Sequence, residues 1–216
     1  MDFSILTDHF GAYMEGFYNT ILSSLLALCG SFLLGALIAI FRITPVKGLR
    51  WFGTGYVEFI RNIPLLLVVY IFFYGPSALG FPLDGFIAGT IGLSVYTSAF
   101  IAEAIRAGIM AVPKGQTEAA RSSGLNYAQT MVHVILPQAI KLVIPPLGNQ
   151  FINLIKNSSV LTLVAGLDLM YFADGISTET YRTFDTYIFV AMFYLVLTLP
   201  LSYAMRVWER RLQRKY

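Results

Sequence analysis

The chain has 216 residues, of which 56% are hydrophobic and only 12% charged, with a formal net charge of +3 at neutral pH. Soluble domains carry about a quarter charged residues, whereas apolar runs of about 20 residues suffice, as helix, to cross a bilayer core. Composition therefore excludes an ordinary soluble domain and points to one integral membrane domain built of α-helices.

The N-terminal stretch MDFSILTDHFGAYMEG carries acids and no Lys or Arg. A cleavable signal would open with positive charge, so the first apolar run, Phe17 to Phe41, is expected to remain as a span. Cys29 lies inside that run and reads as a small buried hydrophobe. Further spans are expected at about 56–75, 86–110, 138–165 and 186–208, five in all, within a single domain covering 1–216. Gly75, Pro76 and Pro82 punctuate the connection between the second and third.

Charge orients these spans. Arg42, Lys47 and Arg50 follow the first, and Arg106, Lys114, Arg121 and Lys141 surround the link between the third and fourth. Arg206, Arg210, Arg211, Arg214 and Lys215 end the chain. The other side carries Asp2, Asp8, Glu15, Asp84, Asp168, Asp174, Glu179 and Asp185 against Arg182 alone. The positive-inside rule then predicts an outside N-terminus and a cytosolic C-terminus, as an odd span count requires. The positive charge is a topology signal rather than a nucleic-acid footprint.

The segment at about 114–137 then falls in the cytosol, with a short helix expected over Thr117 to Ser123. Glu118 and Arg121 match the helix dipole, and Gly124 is a natural stop. A second helical piece, Tyr127 to Ile135, leads to Pro137 at the start of the next helix. Ala119, Ala120, Ser122 and Ser123 would let the backbone approach a partner closely, though a plain connecting helix is the competing reading.

Glu118-Ala119-Ala120, then Gly124, then Val134-Ile135-Leu136-Pro137 resembles the EAA motif of ABC importer permeases, with Val134 where Ile is usual. Arg61-Asn62-Ile63-Pro64-Leu65, Tyr96 to Glu103, Arg106 to Ile109, Pro145 to Gln150 and Lys156-Asn157-Ser158-Ser159 resemble strings of the polar amino-acid subfamily. The resemblance implies a five-span permease of type I importer architecture in a bacterial cell membrane. It implies partners too: a second permease chain, identical or related, two cytosolic ATPase subunits and an extracytoplasmic binding protein. Glu118, Ala119, Ala120, Gly124 and Leu125 would then dock the ATPase. ATP and Mg would sit on that partner, because this chain lacks a Gly-x-x-x-x-Gly-Lys-Ser/Thr loop and is not expected to be an enzyme by itself. No cofactor or metal is expected here; His9 and His133 are isolated.

The fourth span is the most polar. Asn149, Asn153, Lys156, Asn157 and Val160 share one side of a helix, and such groups at membrane depth face a bundle interior or a cavity. Polar contacts between helices remain the alternative. Pro145 and Pro146 remove two backbone donors and predict a kink. A second stripe, Thr90, Ser94, Thr97 and Ser98, marks the third span, where Glu103 and Arg106 are spaced for an ion pair. Arg61 could hold a substrate carboxylate or pair with Glu58. The candidate substrate-binding residues are Asn153, Lys156, Asn157, Ser158, Ser98 and Arg61.

No carboxylate belongs to that set, and a cationic Lys156 with amide neighbours suits an acidic or amide amino acid: glutamate, glutamine, aspartate or asparagine. Related permeases for basic amino acids often carry Asp where Asn157 stands. The competing readings are an ion-gradient-driven secondary carrier with Glu103 moving a proton, and an ABC permease for another solute such as a basic amino acid.

Overall fold

The largest helix contact is made by small side chains. In the computed structural model, which describes residues 3–213, α1 (Ser4–Asp8) leads into the long α2 (Phe10–Ile43). Gly16, Thr20, Ser24, Ala27, Ser31 and Gly35 recur every three or four residues along α2 and are all buried. That stripe lies on α5 (Gly85–Met110) and, nearer its start, on α9 (Leu169–Thr180). Lipid is as apolar as leucine, so close van der Waals approach between small residues drives association in a membrane. A Cβ on Gly35 would stand 2.8 Å from the Ser98 carbonyl oxygen, and one on Gly85 would stand 1.8 Å from that of Val164. Only glycine lets these backbones meet.

The second expected span, 56–75, is two helices rather than one. α3 (Lys47–Arg61) and α4 (Leu65–Ala78) meet at 104° across Asn62 to Pro64. Pro64 has no N–H and biases Ile63 away from helix; its carbonyl instead starts α4 by accepting from Leu67 at 3.0 Å. The Arg61-to-Leu65 string is therefore the bend itself.

Beyond α5 come α6 (Lys114–Ser122), α7 (Tyr127–Thr130) and a π-helical turn, Met131–Ile135, that feeds α8 (Leu136–Asn157). A 3₁₀ segment, Ser158–Val164, continues α8, and α10 (Thr183–Gln213) follows α9. α8 runs as one helix through Pro145 and Pro146. The two prolines therefore leave the helix continuous. Among the described residues four runs are long and apolar enough to cross a membrane, and the bent pair counted as one span makes a fifth. Every regular element among the described residues is helical.

α5 is the hub, packed by α2, α4 and α8. Buried Ala27, Leu93, Leu154 and Leu161 join α2, α5, α8 and the 3₁₀ segment near its middle. Val112, Ile135 and Ala139 form a separate cluster where the α6–α7 segment rests on the bundle.

Candidate coupling segment and solute crevice

α6 closes with a double turn that the sequence dictates. Gly124 donates to the Arg121 carbonyl at 3.1 Å and Leu125 donates to that of Ala120 at 3.2 Å, the Schellman pattern. It requires a left-handed residue, and Gly124 has φ +85°. Arg121 also donates to the Leu125 carbonyl at 3.0 Å, a cation on the negative end of the helix. Asn126 and Gln129 then form a capping box, each accepting the other's backbone N–H at 2.9 Å.

The five expected docking residues divide by face. Glu118, Ala119 and Gly124 are exposed, whereas Ala120 is buried and Leu125 half-buried. α6 rests against α7 and the π turn, so Ala120 serves the chain's own packing, and the small-side-chain face is narrower than the sequence suggested.

Glu103 and Arg106 form the expected pair, at 2.7 Å. Sequence alone missed its third member: Arg42, from the end of α2, bonds the other Glu103 oxygen. Sixty-one positions separate Arg42 from Glu103, so no local spacing could reveal the contact. Arg61 does not pair with Glu58 among the described ion pairs. Its guanidinium lies 5.4 Å from the centre of the Phe100 ring instead, a cation–π contact that fastens the α3 end to α5.

Most of the α5 hydroxyl stripe is turned into the bundle, with Ser94 half-buried. Thr90, Thr97 and Ser98 are buried. Ser98 donates to the Val95 carbonyl at 2.7 Å and meets the Tyr56 hydroxyl at 2.7 Å. Being wholly buried, it offers no face to a solute in this conformation. Ser158 is buried likewise and donates to the Ile155 carbonyl at 2.7 Å.

The α8 stripe opens onto two crevices beside α10. Asn149 lines one of about 370 Å³ with Pro145, Ser202, Arg206 and Glu209. Lys156 lines another of about 360 Å³ with Ser159, Met170, Tyr187, Val190 and Tyr194. Asn153 and Asn157 are half-buried between these faces and line neither. Of the six candidate substrate residues, Lys156 is the one that lines either of these two crevices.

Behind the Lys156 crevice lies an acid read from sequence as a topology marker. Asp168 is wholly buried and caps α9, accepting from Met170 at 3.1 Å and Tyr171 at 3.3 Å. Thr20 of α2 accepts from Leu169 beside it at 3.0 Å. Burial pushes the Asp168 carboxyl up from 3.8 to about 7, with Asp174 adding repulsion, against its backbone N–H bonds. A carboxyl raised on folding binds its proton more tightly in the folded state, so its contribution to stability falls as pH rises from about 4 to about 7. Asp168→Asn keeps the capping acceptor and removes the titration. In detergent the variant should unfold at higher temperature than the native protein at pH 8, and the gap should close near pH 4. Parallel melting curves across that range would remove Asp168 as the titrating group.

These features define a polytopic helical membrane protein whose helix-turn segment, exposed at Glu118, Ala119 and Gly124, sits at one end of the bundle. Residues 31–214 match the family of binding-protein-dependent transport system inner membrane components, and the chain belongs to that family. It is an ABC transporter permease, a transport component rather than an enzyme. Over 216 residues, all of both chains, it is 63% identical to a Bacillus subtilis (strain 168) protein described as a probable glutamine ABC transporter permease. It is 38% identical over 200 residues to the L-cystine transport system permease of the same organism, covering 92% of this chain and 86% of that one. A crystal structure of an amino acid ABC transporter with histidines superposes with a TM-score of 0.93 at 38% identity, covering 98% of this chain and 99% of that one.

Proposed function

We propose that this chain forms the translocation pathway of an ATP-driven importer for polar amino acids, with glutamine or glutamate first among the cargoes and aspartate or asparagine next. The observation that carries the cargo class is the Lys156 crevice, whose described lining offers a cation, hydroxyls and apolar groups but no carboxylate. An arginine side chain would need a negative partner there. The likeness to the Bacillus subtilis glutamine permease supports the same choice.

Family membership supports the rest of the proposed machinery. A second permease chain, two cytosolic ATPase subunits holding ATP and Mg, and an extracytoplasmic binding protein complete the importer. The N-terminus lies outside and the C-terminus in the cytosol of a bacterial cell membrane, so that α6 faces the ATPase. ATP-driven closure of the ATPases moves Glu118–Gly124 and switches the pathway from inward- to outward-facing. Such a switch needs differential affinity for the two states. Glu103, held by Arg42 and Arg106, is poorly placed to carry a proton, which weighs against a secondary carrier.

Labelled uptake into proteoliposomes, with the cognate ATPase and binding protein, tests the reading. ATP-dependent uptake competed by glutamine or glutamate is the expected result; competition by arginine alone would discard the cargo assignment. Asn157→Asp, one residue from Lys156, places a negative charge near the crevice and should raise the KM for glutamate about tenfold, the equivalent of about 1.4 kcal/mol. Glutamine should suffer less. An unchanged glutamate KM would take the pathway away from this part of α8.

A further inference from the structure

Arg42, Arg50, Arg106 and Lys114 come from α2, α3, α5 and α6, yet all four line one cavity of about 420 Å³. The only acid bonded to any of them among the described residues is Glu103, shared by Arg42 and Arg106. Among the described residues, Arg50 and Lys114 have no carboxylate partner. Two further polar groups in the wall are buried and unmatched. Arg42 Nε has no acceptor although its side chain is only 7% exposed, and Thr130 Oγ1 has no partner in a residue 2% exposed.

Buried donors without acceptors are costly unless something fills the space beside them. What would fill this one is compact, strongly anionic and rich in acceptor oxygens. Guanidinium groups suit phosphate oxygens by geometry as well as charge, and a lysine adds a point charge. Part of the cavity's edge is apolar, and Met110 there is 64% exposed, so a hydrocarbon chain could leave the site beside the phosphate. The walls include Thr117 of α6 and Tyr127 of α7; an occupant would touch the α6–α7 segment and the ends of three bundle helices together.

We infer that this cavity binds a phosphate group, carried by an anionic phospholipid or free in solution, and that its occupancy fastens α6 to the ends of α2, α3 and α5. The inference goes beyond the import reading and requires neither its cargo nor its ATPase contact.

The test uses the full-length permease in a neutral detergent. Native mass spectrometry compares retention of phosphatidylglycerol with that of zwitterionic phosphatidylcholine offered at equal concentration. In parallel, inorganic phosphate is titrated against chloride at matched ionic strength while the melting temperature is followed. Preferential retention of one phosphatidylglycerol per chain identifies the lipid source. A saturable rise in melting temperature with phosphate, without lipid preference, identifies the free ion. In either case Arg50→Gln with Lys114→Gln should weaken binding about tenfold, since each removes a charge-assisted contact, without disturbing the Glu103 cluster. The exposed single change Lys114→Gln reports the same loss, at smaller scale, should the double variant misfold. No preference in either arm, or binding unaltered in these variants, overturns the proposal.

Discussion

Glu103→Gln should destabilise the folded protein by about 2–3 kcal/mol. The change leaves Arg42, whose side chain is 7% exposed, without a carboxylate at the end of α2. Breaking a buried pair from one side strands the other charge, which costs more than the pair contributed when intact. Arg106→Gln should be milder, because Arg106 is 33% exposed and its loss leaves Glu103 bound to Arg42. Replacing both ends of the buried pair, Arg42→Met with Glu103→Leu, should recover most of the stability lost in Glu103→Gln. Thermal unfolding in detergent measures the series. Equal melting temperatures for Glu103→Gln and the native protein would mean that water, not Glu103, satisfies Arg42.

The cluster also shows where reading a sequence stops. Glu103 and Arg106 sit one helical turn apart and could be paired by spacing, whereas Arg42 joins them only because α2 and α5 lie side by side. Spans, the Gly124 stop and the Tyr127-to-Pro137 helix signals depend on neighbours within a few residues, and these were legible. The break at Pro64 escapes a reading that takes 56–75 as one span, although proline disfavours helix at the residue before it. The apolar content on both sides, however, hides a 104° bend from any windowed hydropathy.

The site was harder to read because one chemistry serves two ends. Hydroxyls along α5 could line a pathway or let helices pack closely; the structure gives Ser98 to Tyr56. The α8 stripe shares one helix face on paper, but α10 divides it into the Asn149 crevice and the Lys156 crevice. Which polar residues meet a cavity depends on the helix opposite, and helical periodicity carries no information about that.

Gly124→Val should uncouple ATP hydrolysis from uptake in the reconstituted importer while the protein still inserts and folds. A Cβ at Gly124 meets nothing within 4 Å, so the substitution creates no collision in the chain itself. Its whole effect comes from φ +85°, a left-handed conformation that costs a non-glycine residue about 1–2 kcal/mol, and more when the side chain is β-branched. The strain is relieved by opening the Schellman turn, which releases the Leu125-to-Ala120 bond and frees α6 to tilt against α7. Uptake per ATP hydrolysed should then fall about tenfold if that tilt removes about 1.4 kcal/mol of coupling. Gly124→Asn separates backbone from bulk, because asparagine tolerates the left-handed region. It should retain most of the coupling that valine loses. Equal losses in both variants would instead assign the effect to any side chain intruding on an exposed docking face, and full coupling in the valine variant would remove the Gly124 turn from the transmission path.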